Sequence, residues 1–351
     1  MTLLTIDGLK MYYRSDDGYV RAADDINLEL ERGQTLGLVG ESGSGKTTIA
    51  RSVIRLLPDN AEVIDGSIDF DGTEITDLSE RALRKQIRWQ EVSMIPQNAM
   101  NSFDPVYTVG QQIVQVIRYH EDGVSKKEAK DRGRRLFGEL GIDPDRVDDY
   151  PHQFSGGMAQ RAMIALALCL EPKLILADEP TTALDVVIQD RILETITGMQ
   201  EEINSAMILI THDISVVSET SDRIAVCYGG RIVEQADAET IITNPRHPYT
   251  LGLRNAFPDI GDTDTDLVSI PGTPPELVDP GEGCRFAPRC PFAVDECWDV
   301  TPQPEEFDDG HIVECHRADE ADELRERAEQ KETWEEVRER PSQPQGAGGR
   351  R

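Results

Sequence analysis

Three short stretches of this 351-residue chain carry side chains suited to phosphate chemistry. Gly40-Glu41-Ser42-Gly43-Ser44-Gly45-Lys46-Thr47 fits the pattern G-x-x-x-x-G-K-[ST], and Thr48 continues it. Glycines let backbone N–H groups converge on phosphates, Lys46 reaches the terminal phosphates, and the Thr47 hydroxyl can ligate Mg²⁺. Leu174-Ile175-Leu176-Ala177-Asp178-Glu179 is an apolar run ending in two carboxylates. Asp178 can organise Mg²⁺ through its water shell, and Glu179 can orient or polarise the attacking water. Ser155-Gly156-Gly157 precedes an apolar helical run to Leu170 and makes a second anion-binding helix end. Alone, an acidic pair after a strand is more often a solvated loop, and a serine at a helix start more often a cap. The phosphate loop upstream reverses those odds. Two anion-binding helix ends far apart in one chain suggest a nucleotide sandwiched between two subunits.

These motifs need strands and helices to hold them, and the sequence supplies both in α/β alternation. Strands are expected at Thr35 to Val39, Ser67 to Phe70, Val92 to Ile95, Leu174 to Ala177, Ala206 to Ile210 and Arg223 to Tyr228. Gly229-Gly230 turns the last into a hairpin with Arg231 to Gln235. A helix should run from Thr47 to Pro58. Between about 99 and 170 the pattern becomes helical, including a helix that starts at Ser125 with Glu128 as its capping box and ends at Gly141. Proline and glycine become frequent from Asn244, with the clearest break at Pro271-Gly272-Thr273-Pro274-Pro275. The charged tail from about Ala318 reads as a frayed helix followed by disorder.

With these motifs in this order, residues 2 to 250 resemble the ATP-binding subunits of ABC transporters. The resemblance extends to Gln97 after the strand at 92–95, Ala183-Leu184-Asp185 as the D-loop, and His212 after the strand at 206–210. It implies a P-loop NTPase (RecA-like) core with an antiparallel β subdomain and a helical insertion, plus a small C-terminal metal-binding module. It implies ATP contacts at Tyr13, Gly40, Ser42, Gly43, Ser44, Gly45, Lys46, Thr47 and Thr48, with Tyr12 or Tyr19 as alternative base platforms. Mg²⁺ would be held by Thr47, Gln97 and Asp178, and Glu179 and His212 would act in hydrolysis. Ser155, Gly156 and Gly157 would touch the nucleotide of the facing subunit. The implied division is a nucleotide-binding domain at 1–255, a cysteine module at 256–317 and a charged, partly disordered tail at 318–351.

Phe154 and Met158 depart from the general signature. This variant is similar to the dipeptide/oligopeptide importer group, as is Asn244-Pro245-Arg246-His247-Pro248-Tyr249-Thr250. Ala159 stands where that group often has Arg. The implied role is ATP hydrolysis driving uptake of di- and oligopeptides from the cytoplasmic face of the membrane. The implied partners are two integral membrane permease subunits, a second homologous ATPase subunit (a heterodimer favoured over a homodimer) and, indirectly, an extracellular solute-binding protein. Oligosaccharides or nickel are alternative cargoes. A soluble ABC ATPase of repair or translation is the competing class, but the two nucleotide domains or long coiled-coil insertion usual there are absent from this sequence.

Of six cysteines, Cys169 and Cys227 sit inside apolar runs and read as structural. Cys284, Cys290, Cys297 and Cys315 follow, separated by five, six and seventeen intervening residues. Four thiolates suit a soft metal centre, and a cytoplasmic setting disfavours disulfides. The spacing lacks the paired two-residue gaps of usual zinc sites. The peptide-importer resemblance implies a [4Fe–4S] cluster, with zinc or free thiols as alternatives.

The chain carries 66 Asp+Glu against 36 Lys+Arg, a formal charge of −30. That balance disfavours nucleic-acid binding, which needs clustered cations. Acidic excess with few lysines is the habit of a halophile's salt-accumulating cytoplasm. Met1 to Lys10 lacks a signal-peptide pattern, and no apolar stretch reaches the roughly 18 residues of a membrane span.

Overall fold

Alternating apolar and polar residues open the chain as a hairpin of β1 (Thr2–Ser15) and β2 (Gly18–Glu31). On β1 the buried set passes from Leu4 and Ile6 to Leu9 and Met11 across a register shift. Gly8, with φ of 56°, lies within that shift, so a bulge resets which residues face inward. β4 (Ala61–Phe70) pairs antiparallel with the other edge of β1, and β5 (Thr73–Glu74) completes the order β2-β1-β4-β5.

The computed structural model describes residues 1–181, 186–256, 269–307 and 310–338. They divide into a first unit, Met1–Ile232 with Leu277–Asp279, and a second formed by the rest. The first unit holds a parallel sheet in the order β9-β3-β8-β7-β6. Its strands are β3 (Thr35–Val39), β6 (Val92–Ile95), β7 (Leu174–Asp178), β8 (Ala206–Thr211) and β9 (Arg223–Tyr228). All five residues of β3 and of β7 are buried, the continuous apolar reading of a strand covered on both faces. Leu36 and Leu38 of β3 share a core with Ile26 and Leu28 of β2 and with Ile49 and Val53 of α1 (Lys46–Val53).

α1 stops at Val53, short of the expected Pro58, and Arg55 adopts a left-handed φ of 47°. α2 (Glu80–Ala82) leads through a π-helical turn to β6. The insertion holds α3 (Ala99–Ser102), α4 (Val109–His120), α5 (Lys126–Glu139) and α6 (Gly156–Leu168). α5 has its capping box, Ser125 Oγ accepting from Glu128 N at 3.2 Å. α7 (Val186–Glu202) and α8 (Ile214–Thr220) follow β7 and β8. Leu277–Asp279 adds to the free edge of β2 by a Val20–Val278 bridge. No short-range pattern announces a pairing over that separation.

In the second unit, β10 (Arg231–Asp237), which enters it at Val233, pairs antiparallel with β12 (His311–Val313), and β12 with β11 (Glu305–Phe307). α9 (Ala238–Thr243), α10 (Pro248–Asn255) and α11 (Glu296–Asp299) come next. The tail carries α12 (Ala321–Ala328) and α13 (Lys331–Arg338). The expected frayed helix is replaced by two because Leu324 and Trp334 are buried and Trp334 Nε1 donates to Ala328 O at 2.9 Å. This unit begins earlier than the proline-rich break suggests, since α10 packs on α12. The expected boundary at 256 adjoins residues 257–268, which lie outside the described residues, as do 339–351.

Candidate functional site

Parallel pairing aligns the strands so that their carboxyl ends present one row. Ile95 pairs with Ala177, Asp178 with Ile210, and both Leu38–Ile210 and Val39–Thr211 are in register. Adjacent strands lie about 4.8 Å apart, so the residues just beyond these ends become neighbours although distant in sequence. Ligands bind outside the carboxyl ends of such sheets.

Gly40 to Gly45 fill the turn from β3 to α1. Gly40, Gly43 and Gly45 have φ of 155°, 80° and 106°, a region L side chains rarely adopt. A Cβ on Gly40 would stand 2.0 Å from Cys227 O, and one on Gly45 2.0 Å from Ala22 O. Lys46 is almost wholly buried, and its Nζ donates to Gly40 O at 2.7 Å and Glu41 O at 2.8 Å. Burial lowers its pKa, against the attraction of Cys227, Glu179, Asp178 and Glu41. Thr47 Oγ1 donates to Asp178 Oδ1 at 2.8 Å. Asp178 is 1% exposed, and burial raises its pKa, opposed by the Thr47 bond and by Arg51, 4.0 Å away.

Glu179 turns off the end of β7 with a left-handed φ of 46°, and its N–H donates to Ile210 O at 3.0 Å. That conformation costs about 1–2 kcal/mol in a non-glycine residue. Its Oε2 accepts from Gln97 Nε2 at 2.7 Å, and its Oε1 lies 3.7 Å from His212 Nδ1. Gln97, Glu179 and His212 thus form one polar cluster, and Thr47 with Asp178 an adjoining pair. Arg51 was not singled out from sequence; its position one turn past Lys46 on α1 was the available signal. Tyr13 Oη lies 3.0 Å from Thr48 Oγ1, which sets the ring beside the phosphate helix. Tyr12 and Tyr19 bond Asp24 and Glu62 instead.

Ser155 caps α6 without a side-chain bond, and Ser155 and Gly156 are exposed. α6 packs on α3, α5 and β6, whereas α1 packs on β2, β7 and β8. The two helices therefore rest on different elements. Asp185, with Ala183 and Leu184, lies outside the described residues. An open groove runs from Ile54 and Leu56 past Trp89, Met94 and Pro96 to Met163. Arg88 braces one wall by donating to Ile54 O and Arg55 O, each at 2.7 Å.

In the second unit Cys284, Cys290, Cys297 and Cys315 line one small cavity, together with His247 and Phe286. The described cysteines form no disulfide. Burial pushes the thiol of Cys284 up to about 11 and that of Cys315 up to about 12, while backbone N–H groups of Phe286, Phe292 and Arg317 favour the thiolates of Cys284, Cys290 and Cys315 respectively. Among the described residues, no three His, Cys, Asp or Glu side chains meet closely enough to hold a single metal ion.

A profile of the ABC transporter family matches residues 23–182, and one for the oligopeptide/dipeptide transporter C-terminal region matches 233–297. A probable peptide ABC transporter ATP-binding protein of Sinorhizobium fredii is 42% identical over 322 residues, 91% of this chain and 96% of that one. The dipeptide transport ATP-binding protein of Escherichia coli is 41% identical over 318 residues, 90% and 97% of the two chains. Among solved structures, the dimeric post-hydrolysis state of the ATP-binding cassette MJ0796 with ADP and Pi superposes with a TM-score of 0.61 at 25% identity, covering 67% of this chain and 99% of that one. No described helix is long and apolar enough to cross a membrane. The chain therefore belongs to the ABC transporter ATP-binding family, in its dipeptide/oligopeptide group, and is an ATPase.

Proposed function

We propose that this chain is the ATP-hydrolysing subunit of an importer of di- and oligopeptides, working at the cytoplasmic face of the membrane with two permease subunits and a second, homologous ATPase. The observation that carries this reading is the half-site: Lys46, Thr47, Asp178, Gln97, Glu179 and His212 gather beyond the carboxyl ends of the parallel strands, while Ser155 to Gly157 open α6, which packs on other elements than α1 does. A second subunit's Ser-Gly-Gly is needed to close each ATP site, so ATP draws two subunits head to tail. Within it, Lys46 and the α1 N-terminus meet the phosphates, and Tyr13 stacks the base. Thr47, Asp178 and Gln97 would hold Mg²⁺, whose charge would neutralise the phosphates. Glu179 orients and polarises the attacking water, and His212 contacts the γ-phosphate. Hydrolysis reopens the pair.

The groove from Ile54 to Met163 suits a cytoplasmic segment of the permease. It touches Arg51 of α1, Pro96 just before Gln97, and Met163 and Leu166 of α6, the helix that Ser155 to Gly157 open, so movement of its occupant would bear on the elements that carry both halves of the ATP site. Purification of the tagged chain from detergent-solubilised membranes tests the assembly. Two integral permease proteins and a second ATPase should accompany it; recovery without any membrane protein would favour the soluble class.

The cysteine cavity fits a [4Fe–4S] cluster held by Cys284, Cys290, Cys297 and Cys315 better than one zinc ion. Support comes from four thiols spread around a cavity rather than closed on a point, and from N–H groups aimed at three of the sulfurs. Such a cluster supplies a one-electron redox centre. Iron and sulfide analysis of anaerobically prepared protein tests it; stoichiometric zinc without a chromophore would refute it. The acidic surface serves solubility in high salt, and unfolding on dialysis into dilute buffer is the expected behaviour.

A further inference from the structure

His247 belongs to the Asn-Pro-Arg-His-Pro-Tyr-Thr segment, for which phosphate chemistry has no use. It is 1% exposed, lines the four-cysteine cavity, and precedes Pro248 at the start of α10. Its Nδ1 accepts from Tyr249 N at 3.0 Å. An imidazole nitrogen that accepts is unprotonated, so the proton of the neutral ring sits on Nε2. Among the described residues nothing accepts from that Nε2, and the ring lines the four-cysteine cavity.

The other polar side chains around the cavity are committed. His316 Nε2 lies 2.8 Å from Val300 O, and its Nδ1 is 3.8 Å from Glu296. The Arg317 guanidinium bonds Glu320 and donates to Phe292 O at 3.2 Å. The ring of His247 is also held in place. Buried Glu234 accepts from Arg246 N at 2.6 Å and His247 N at 3.1 Å, and lies 2.7 Å from His311 Nε2. Phe286 packs on the ring with centroids 5.9 Å apart.

We propose that His247 donates its Nε2–H to a sulfur of the centre held by Cys284, Cys290, Cys297 and Cys315, and so raises the reduction potential of that centre. This rests on the reading of the cavity as a cluster site. A hydrogen bond to sulfur withdraws electron density and favours the reduced state, one of the chief levers a protein has on such a centre. His247 is a positioning and tuning residue, since four thiolates already complete the ligand set.

Two variants separate this role from capping of α10. His247→Asn keeps a good cap, its Oδ1 replacing Nδ1, but has no donor where Nε2 stood. His247→Gln returns an N–H near the Nε2 position and weakens the cap. Full-length protein purified anaerobically is assayed for iron and sulfide, and its midpoint potential is measured by spectroscopic titration. The expected result is wild-type iron and sulfide in H247N with a midpoint shifted to lower potential, and a shift back toward wild type in H247Q. An unchanged midpoint in H247N with full iron overturns the hydrogen bond. Loss of iron in H247N but not in H247Q overturns it in favour of a ligand. Wild-type protein lacking iron and sulfide overturns the cluster reading and, with it, this proposal.

Discussion

Asp178→Asn should stabilise the nucleotide-free protein while disabling its response to Mg·ATP. The carboxylate is 1% exposed, with one bond from Thr47 at 2.8 Å and Arg51 4.0 Å off. Relief of a buried ion's desolvation is worth several kcal/mol. Against it, the Thr47 bond falls from charged to neutral, a loss of about 1 kcal/mol. The Arg51 attraction is also lost, at about 1 kcal/mol or less because that side chain is 43% exposed. The balance is a gain of about 1–2 kcal/mol, or roughly 2–6 °C in melting temperature. The pH dependence has a definite sign. Burial raises the folded-state pKa of Asp178 above the unfolded value, so wild-type stability from this group is complete below the unfolded pKa. It is lost as pH rises through the window up to the folded pKa, and the variant's advantage opens over that window. Mg·ATP at a hundred times its Kd stabilises the wild type by about 2.7 kcal/mol, and the variant should lose most of the Mg²⁺-dependent part. Thermal unfolding with and without Mg·ATP is the assay, with the order of the two proteins reversing between conditions. A variant that melts lower in the apo state, or shows the same Mg²⁺-dependent gain, would refute the reasoning.

Gly45→Ala forces an L side chain to φ of 106° and drives its Cβ into Ala22 O, so chemical denaturation should show a loss of roughly 2–4 kcal/mol, with ATP binding abolished. Tyr13→Phe should lose only the Thr48 bond and keep ATP affinity within about threefold, while Tyr13→Ala weakens it about tenfold or more, read by nucleotide titration. Ser155→Arg should leave ATP binding by the isolated chain unchanged and lower hydrolysis by the assembled pair at least about a hundredfold, since the proposed head-to-tail pairing sets this exposed cap of α6 against the facing subunit's nucleotide.

Local patterns made the phosphate loop and the acidic strand readable before any fold was known. A glycine-rich turn between a buried strand and a helix is specified by adjacent residues, and the strands at 35–39, 92–95 and 223–228 have the expected bounds. The meeting of Gln97, Glu179 and His212 depends on sheet order, which no single stretch encodes; it was accessible only through resemblance. The left-handed turn at Glu179 gave no signal, because glutamate rarely adopts it. Leu277–Asp279 pairing with β2, the burial of Trp334 and the ring of contacts around His247 are non-local, and composition alone made the C-terminal region look loose.

The central claim is that hydrolysis at the Glu179 site drives peptide uptake. It is tested most directly in inverted-control proteoliposomes containing the permease pair, both ATPase subunits and the binding protein, with ATP on the side of this chain and a labelled dipeptide on the other. The wild type should accumulate the dipeptide, and Glu179→Gln, which keeps the bond from Gln97 but removes the carboxylate charge, should cut uptake and turnover together by about a hundred- to ten-thousandfold while retaining ATP. Equal uptake by the variant, or wild-type hydrolysis with no accumulation of any di- or oligopeptide, would contradict it.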